Sequence, residues 1–147
     1  LRRQFTFLLW IFGLSLTVVQ AQSYSGKELF KAHFNPRPLR ALDSNPASFQ
    51  LGAKELQRLK RDSTELYKAI GLLKSGKAVQ ALPTLKNLAE RMKETVSNVS
   101  EWYLAMAYLA LERKPQAEYW LHKIAETELH PYQDEAEVVF QKLIGLR

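Results

Sequence analysis

Glu118, His122 and Glu126 come closest to a reaction centre. They fall at i, i+4 and i+8, so a helix would carry them on one face, a spacing that can hold a divalent metal. It is equally the spacing of ordinary exposed charge pairs. The other histidines, His33 and His130, are far off in sequence, and the chain has no cysteine, so no second convergent ligand is supplied. Nucleophilic catalysis finds no Gly-x-Ser-x-Gly elbow. Gly71 and Gly76 come nearest to a phosphate loop but lack its Gly-Lys-Ser/Thr ending. The chain therefore reads as non-enzymatic, with no cofactor and no metal. The chemistry left to it is that of a binding surface.

The elements that would position such a surface are written twice. A shift of 36 positions lays Glu65 on Glu101, Tyr67 on Tyr103, Ala69 on Ala105, Leu73 on Leu109, Ala81 on Ala117 and Ala89 on Ala125. A fixed period of this size marks a stacked repeat whose units cannot bury their apolar faces alone. Asp62 and Asn98 occupy equivalent positions, each three residues before a Glu, and are expected to cap the first helix of each copy. A break or cap is expected near Asp62, the alternative being that the lead-in helix runs directly into the next. Ser75-Gly76-Lys77 ends the first helix of copy one, with Gly76 in the left-handed position. In copy two Glu112-Arg113-Lys114-Pro115 does so, with Pro115 opening the next helix. Ala69 and Ala105, and Ala81 and Ala117, supply the small side chains that closely approaching helices need. Leu72 and Tyr108, with Leu85 and Leu121, fill the groove around them. Pro83 falls inside the second helix of copy one, so that helix either starts late or kinks.

These residues resemble the tetratricopeptide repeat (TPR), a helix-turn-helix unit of 34 residues. Ala69, Leu72, Gly76, Ala81 and Leu85 match its motif in copy one; Ala105, Tyr108, Ala117 and Leu121 match in copy two. Glu112 stands where the family has Gly, and copy two is preceded by a two-residue expansion in the loop Glu94–Ser97. The phrase from Trp102 to Leu109, with His130-Pro131-Tyr132 after it, resembles short exported TPR proteins of Bacteroidota. The resemblance implies an all-α, right-handed stack of helical hairpins with a C-terminal capping helix. It also implies a concave groove lined by the first helix of each repeat. Carried over by position, the groove would present Leu66, Tyr67, Ile70 and Lys74 from copy one and Trp102, Tyr103 and Met106 from copy two. Aromatic and Met side chains there suit a protein or peptide partner. The alternative is that the N-terminal arm folds back and fills the groove as core, with Phe30 and Phe34 as plugs.

The flanks complete the plan. Arg2 and Arg3, the apolar run Phe5 to Val19 and the small Ala21 have the layout of a secretory signal peptide over residues 1–21. The competing reading is an uncleaved membrane anchor on an assembly or stabilising subunit. Loss of that segment lowers the formal net charge from +6 to +4. Export, most simply to a bacterial periplasm, argues against nucleic acid as the ligand, and most basic residues are interleaved with acids as on a solvated helix face. Asn98-Val99-Ser100 matches a glycosylation acceptor, but the capping role accounts better for Asn98. Residues 22–61 read as an arm: a loose lead-in to Gly26, a short helix over Lys27–Phe34, a proline-rich stop, irregular chain over Arg40–Pro46, and a lead-in helix from about Ala47. Residues 62–129 hold the two hairpins. Residues 130–147 form the closing helix, with His130 as cap, Pro131 at its first position and Tyr132, Ala136, Val139, Phe140 and Leu143 on its apolar face.

Overall fold

The structure, a computed structural model, describes residues 24–37, 52–91 and 95–145, and over them every regular element is a helix. In chain order these are α1 (Gly26–His33), α2 (Ala53–Lys74), α3 (Ala78–Ala89), α4 (Thr95–Ala110), α5 (Lys114–Glu126) and α6 (Gln133–Leu143). The leader at 1–21, the irregular stretch 40–46 and the helix start near Ala47 lie outside the described residues.

The repeat is visible in the helix ends. α2 stops at Lys74 and α4 at Ala110, while α3 starts at Ala78 and α5 at Lys114, each pair 36 positions apart. The turns are copies too. The Lys77 amide donates to Leu72 O at 2.8 Å and the Gly76 amide to Leu73 O at 3.0 Å; the Arg113 amide donates to Tyr108 O at 2.9 Å and the Glu112 amide to Leu109 O at 3.0 Å. This paired pattern closes a helix through a left-handed residue. Gly76 has φ +73° and Glu112 φ +56°. Ala69, Ala81, Ala105 and Ala117 are buried where the helices meet, as are Leu85 and Leu121; Leu72 and Tyr108 are half-buried.

The starts of α2 and α4 differ from expectation. Asp62 caps nothing: α2 runs unbroken through it, with Gly52 at the N-cap, so no structural boundary falls at 61/62. The reason is electrostatic. The Asp62 carboxylate faces inward, 1% exposed, and lies 2.6 Å from Arg91, 3.4 Å from Arg61 and 3.8 Å from Arg58. Asn98 likewise sits inside α4, which begins at Thr95 and takes in much of the expected loop Glu94–Ser97. Pro83 lies in the interior of α3, so that helix does not start late. Pro83 and Val79 are both exposed, so the helical bond that proline cannot donate is lost on the water side.

α4 is the centre of the molecule. It packs against α1, α2, α3 and α5, and from Val96 to Leu109 nearly every side chain is buried. A helix that is apolar all round belongs in a core. Ser97 serves that position by donating to Ala89 O at 3.1 Å and Arg91 O at 2.9 Å, which ties off the end of α3. α6 closes the stack on α5 with Tyr132, Ala136, Val139 and Leu143 buried. It begins at Gln133, two residues later than Pro131, because Leu129 (φ +62°) and Pro131 form a turn that brings Tyr132 onto Trp102.

Candidate helix-binding groove

The groove carried over from the repeat resemblance is not an open surface. Leu66, Ile70, Trp102, Tyr103 and Met106 are all buried; Tyr67 and Lys74 are exposed. The five buried residues are therefore core, which corrects their placement as an accessible docking face. Part of the cause is α1, which lies across α4 and α6 and covers their inner faces.

α1 begins with a capping box. Ser25 Oγ accepts from the Glu28 amide at 3.2 Å, and Glu28 accepts from the Ser25 amide at 2.9 Å. This corrects the loose lead-in expected up to Gly26. The next two amides of the helix are taken by a residue far away in sequence. Glu112 accepts from the Gly26 amide and the Lys27 amide, both at 2.9 Å. The bond from Lys27 is the main reason the Glu112 carboxyl is held below the usual carboxylate range; burial opposes it and the Gly26 bond assists. Gly26 is required by the fit: a Cβ there would meet Leu109 O at 2.6 Å. Lys114 Nζ donates to Tyr24 O at 3.1 Å beside the same contact.

Further along, Leu29 is fully buried and Phe30 and Phe34 are half-buried. Phe30 stacks on Phe34 at 4.7 Å, and Phe34 meets the edge of Tyr103 at 6.2 Å. Tyr103 meets Tyr132 edge-on at 6.2 Å, and Tyr132 stacks flat on Trp102 at 5.0 Å. One aromatic seam thus joins α1, α4 and the start of α6. Burial, and then the neighbouring Tyr103 hydroxyl, push the Tyr132 phenol well above its ordinary range. The seam ends in polar ties. The Tyr103 hydroxyl accepts from the Arg37 amide at 3.2 Å, and the Arg37 guanidinium pairs with Glu135. Lys142 Nζ donates to His33 Nε2 at 3.2 Å.

A second knot holds α4 to the turn before α6. His130 is buried; its Nδ1 accepts from the Tyr132 amide at 3.1 Å and its Nε2 lies 2.9 Å from Asn98 O. An acceptor Nδ1 beside a carbonyl-facing Nε2 defines the neutral ring with its proton on Nε2. Glu101 is buried next to it, 3.7 Å from His130 and 2.8 Å from Lys123. The histidine expected as a cap thus bonds an amide one residue before the helix.

The opposite side of the stack carries the residues first considered for chemistry. His122 Nδ1 lies 3.3 Å from Glu126 and its ring meets the edge of Phe140 at 5.2 Å. Among the described residues no three His, Asp or Glu side chains converge as metal ligands. An open cleft of about 560 Å³ lies beside Tyr108, Tyr119 and Trp120, and sequence reasoning did not anticipate it. Its cations are already engaged: Lys86 with Glu90 at 3.8 Å, Arg91 with Asp62 and Lys123 with Glu101.

Over the described residues, fold and site together define an all-helical body whose inner groove is closed by α1. No helix among the described residues is long and apolar enough to cross a membrane. No protein-family model, curated protein or solved structure matches the chain.

Proposed function

We propose that this protein is an exported, non-enzymatic interaction scaffold of the tetratricopeptide type, which holds a helix of a protein partner in the groove between α4 and α6. One observation carries the reading: an eight-residue helix, α1, already lies there. A helix that short is marginal alone in water, so its order comes from the groove. Burying Leu29 contributes about 1.5–3 kcal/mol to that order. The surface is thus suited in shape and chemistry to an amphipathic helix, and α1 is the resident form of such a ligand.

The test is crosslinking of the wild-type chain in its native envelope fraction, with and without excess synthetic peptide spanning residues 23–37. A partner held in the groove is displaced by the peptide. Capture that ignores the peptide assigns the partner to another face, and absence of any specific capture removes the scaffold reading. N-terminal sequencing of the exported protein tests the leader: a start at Gln22 supports cleavage, whereas a retained N-terminus supports the membrane-anchored alternative.

A further inference from the structure

Resting on that reading, we infer that the α4–α6 groove is an exchangeable helix seat that selects glycine at the first helical position, so the partner it takes is a short amphipathic helix of α1's own chemistry. Such a helix has a capping residue such as Ser at its start, Gly next, Leu three residues after the Gly, and Phe at the positions of Phe30 and Phe34.

Two independent features define the seat: one selects glycine, and the other holds the start of a helix. The first is steric: a Cβ at Gly26 would stand 2.6 Å from Leu109 O and 3.3 Å from Leu109 Cα, and backbone cannot yield as a side chain can. The second is the identity of residue 112. Its equivalent in copy one is Gly76, which suits the left-handed turn; Glu112 adopts the same turn at φ +56° against the preference of its Cβ. Non-glycine residues strained in this way cluster at ligand clamps and other functional sites. The clamp here is the carboxylate on the Gly26 and Lys27 amides, each at 2.9 Å. Nothing lies within 4 Å of a Cβ placed on Gly76, so copy one has a free turn and copy two a receptor. Any helix docked there offers the same two orphan amides, so the clamp reads the start of a helix while the steric limit reads its first residue.

Exchange follows from how α1 is attached. Arg37, the last described residue of the arm, and Gly52, the N-cap of α2, are fifteen positions apart in the sequence. A helix joined to its seat by a tether competes with any free helix at the effective concentration that the tether sets. A free helix therefore has to outcompete α1, and it binds more tightly when α1 is weakened.

The experiment uses the full chain and a fluorescein-labelled peptide of residues 23–37, read by anisotropy. In the Gly26→Leu chain the resident helix is displaced, and the wild-type peptide binds at least about tenfold tighter than to the wild-type chain. The Gly26→Leu peptide binds neither chain. Circular dichroism and Tm report whether the variant folds. The Leu29→Ala chain, which loses contacts and adds none, provides the same comparison if it does not. Equal peptide binding by wild-type and weakened chains, or equal binding of the two peptides, overturns the inference. So does light scattering that finds a wild-type dimer with Lys27 of one copy crosslinked to Lys114 of its partner, since the occupant would then be a second copy. Peptide binding without native capture leaves the seat standing and fails the scaffold reading; native capture without peptide binding does the reverse.

Discussion

Asp62 and Arg91 meet at 2.6 Å across the open end of the first hairpin, the carboxylate fully buried in the middle of α2 and the guanidinium just past the end of α3. Arg61 and Arg58 approach the same carboxylate from one side. The carboxyl is pulled both ways: burial pushes it up, and the bond and charge of Arg91, then of Arg61, bring it below its ordinary value. Asp62→Ala leaves three cations around an empty site. Breaking a buried pair costs about 3–5 kcal/mol, and the partial exposure of the arginines places this case near the lower end. Urea unfolding measures it. The sign with pH follows from the lowered value: the contribution is present above the unfolded-state pKa, about 3.8, and is lost as pH falls through the folded one. The variant should therefore lose its deficit against wild type only in strong acid.

Trp102→Ala separates core from docking face. With Trp102 2% exposed and stacked on Tyr132, truncation should cost about 3–5 kcal/mol. An open groove residue would lose partner binding at unchanged melting. A drop in Tm of many degrees by calorimetry is expected, and an unchanged Tm would refute the core assignment.

The hairpins were legible because their cause is local and repeated: close helices need small residues, and Ala69, Ala81, Ala105 and Ala117 recur in register. The starts of α2 and α4 were not, because a capping pattern describes what a side chain can do and not what it is used for. Asp62 with Glu65 fits the pattern as well as Ser25 with Glu28, yet only Ser25 caps; Asp62 is claimed by an arginine 29 positions away. The filled groove had a sequence signal. From Trp102 to Leu111 no residue is charged, and a helix with no polar face has no side to offer to solvent. Glu112 itself was visible only as a departure from glycine. Its role needed Gly26, 86 positions earlier, to be brought beside it.

Glu112→Gly should separate local from global stability. Glycine relieves a left-handed residue, worth about 1 kcal/mol. The same change removes both bonds to the start of α1. The two effects act on different parts, so Tm should change little while hydrogen exchange over residues 26–33 accelerates by tenfold or more. Unchanged protection of α1 would show that its apolar contacts alone hold it.

Pro83→Ala restores an amide to the interior of α3 at an exposed position where no packing is disturbed. Proline is about 3 kcal/mol worse than alanine in a helix interior. A gain of about 1–3 kcal/mol in chemical denaturation is expected. No gain would mean that the helix has already adjusted around the ring.

Acid should loosen the α6 end before the hairpins. His130 is held below its ordinary value of 6.5 chiefly by burial, against the opposing pull of the Asn98 carbonyl and Glu101. His33 is lowered in the same direction, by burial and then by the Lys142 ammonium. Both rings are therefore neutral in the folded chain at a pH where the unfolded chain begins to take up protons. Between the unfolded pKa and the lower folded one, the unfolded state binds more protons, so stability falls as pH drops below about 6.5. Protonation of His130 also strikes its geometry, because Nδ1 must stop accepting the Tyr132 amide. Tm measured from pH 7.5 to 5 should decline, and a His33→Gln, His130→Gln double variant should show a flatter slope over that range whatever its starting Tm. An identical slope in the variant would place the acid sensitivity outside these two histidines.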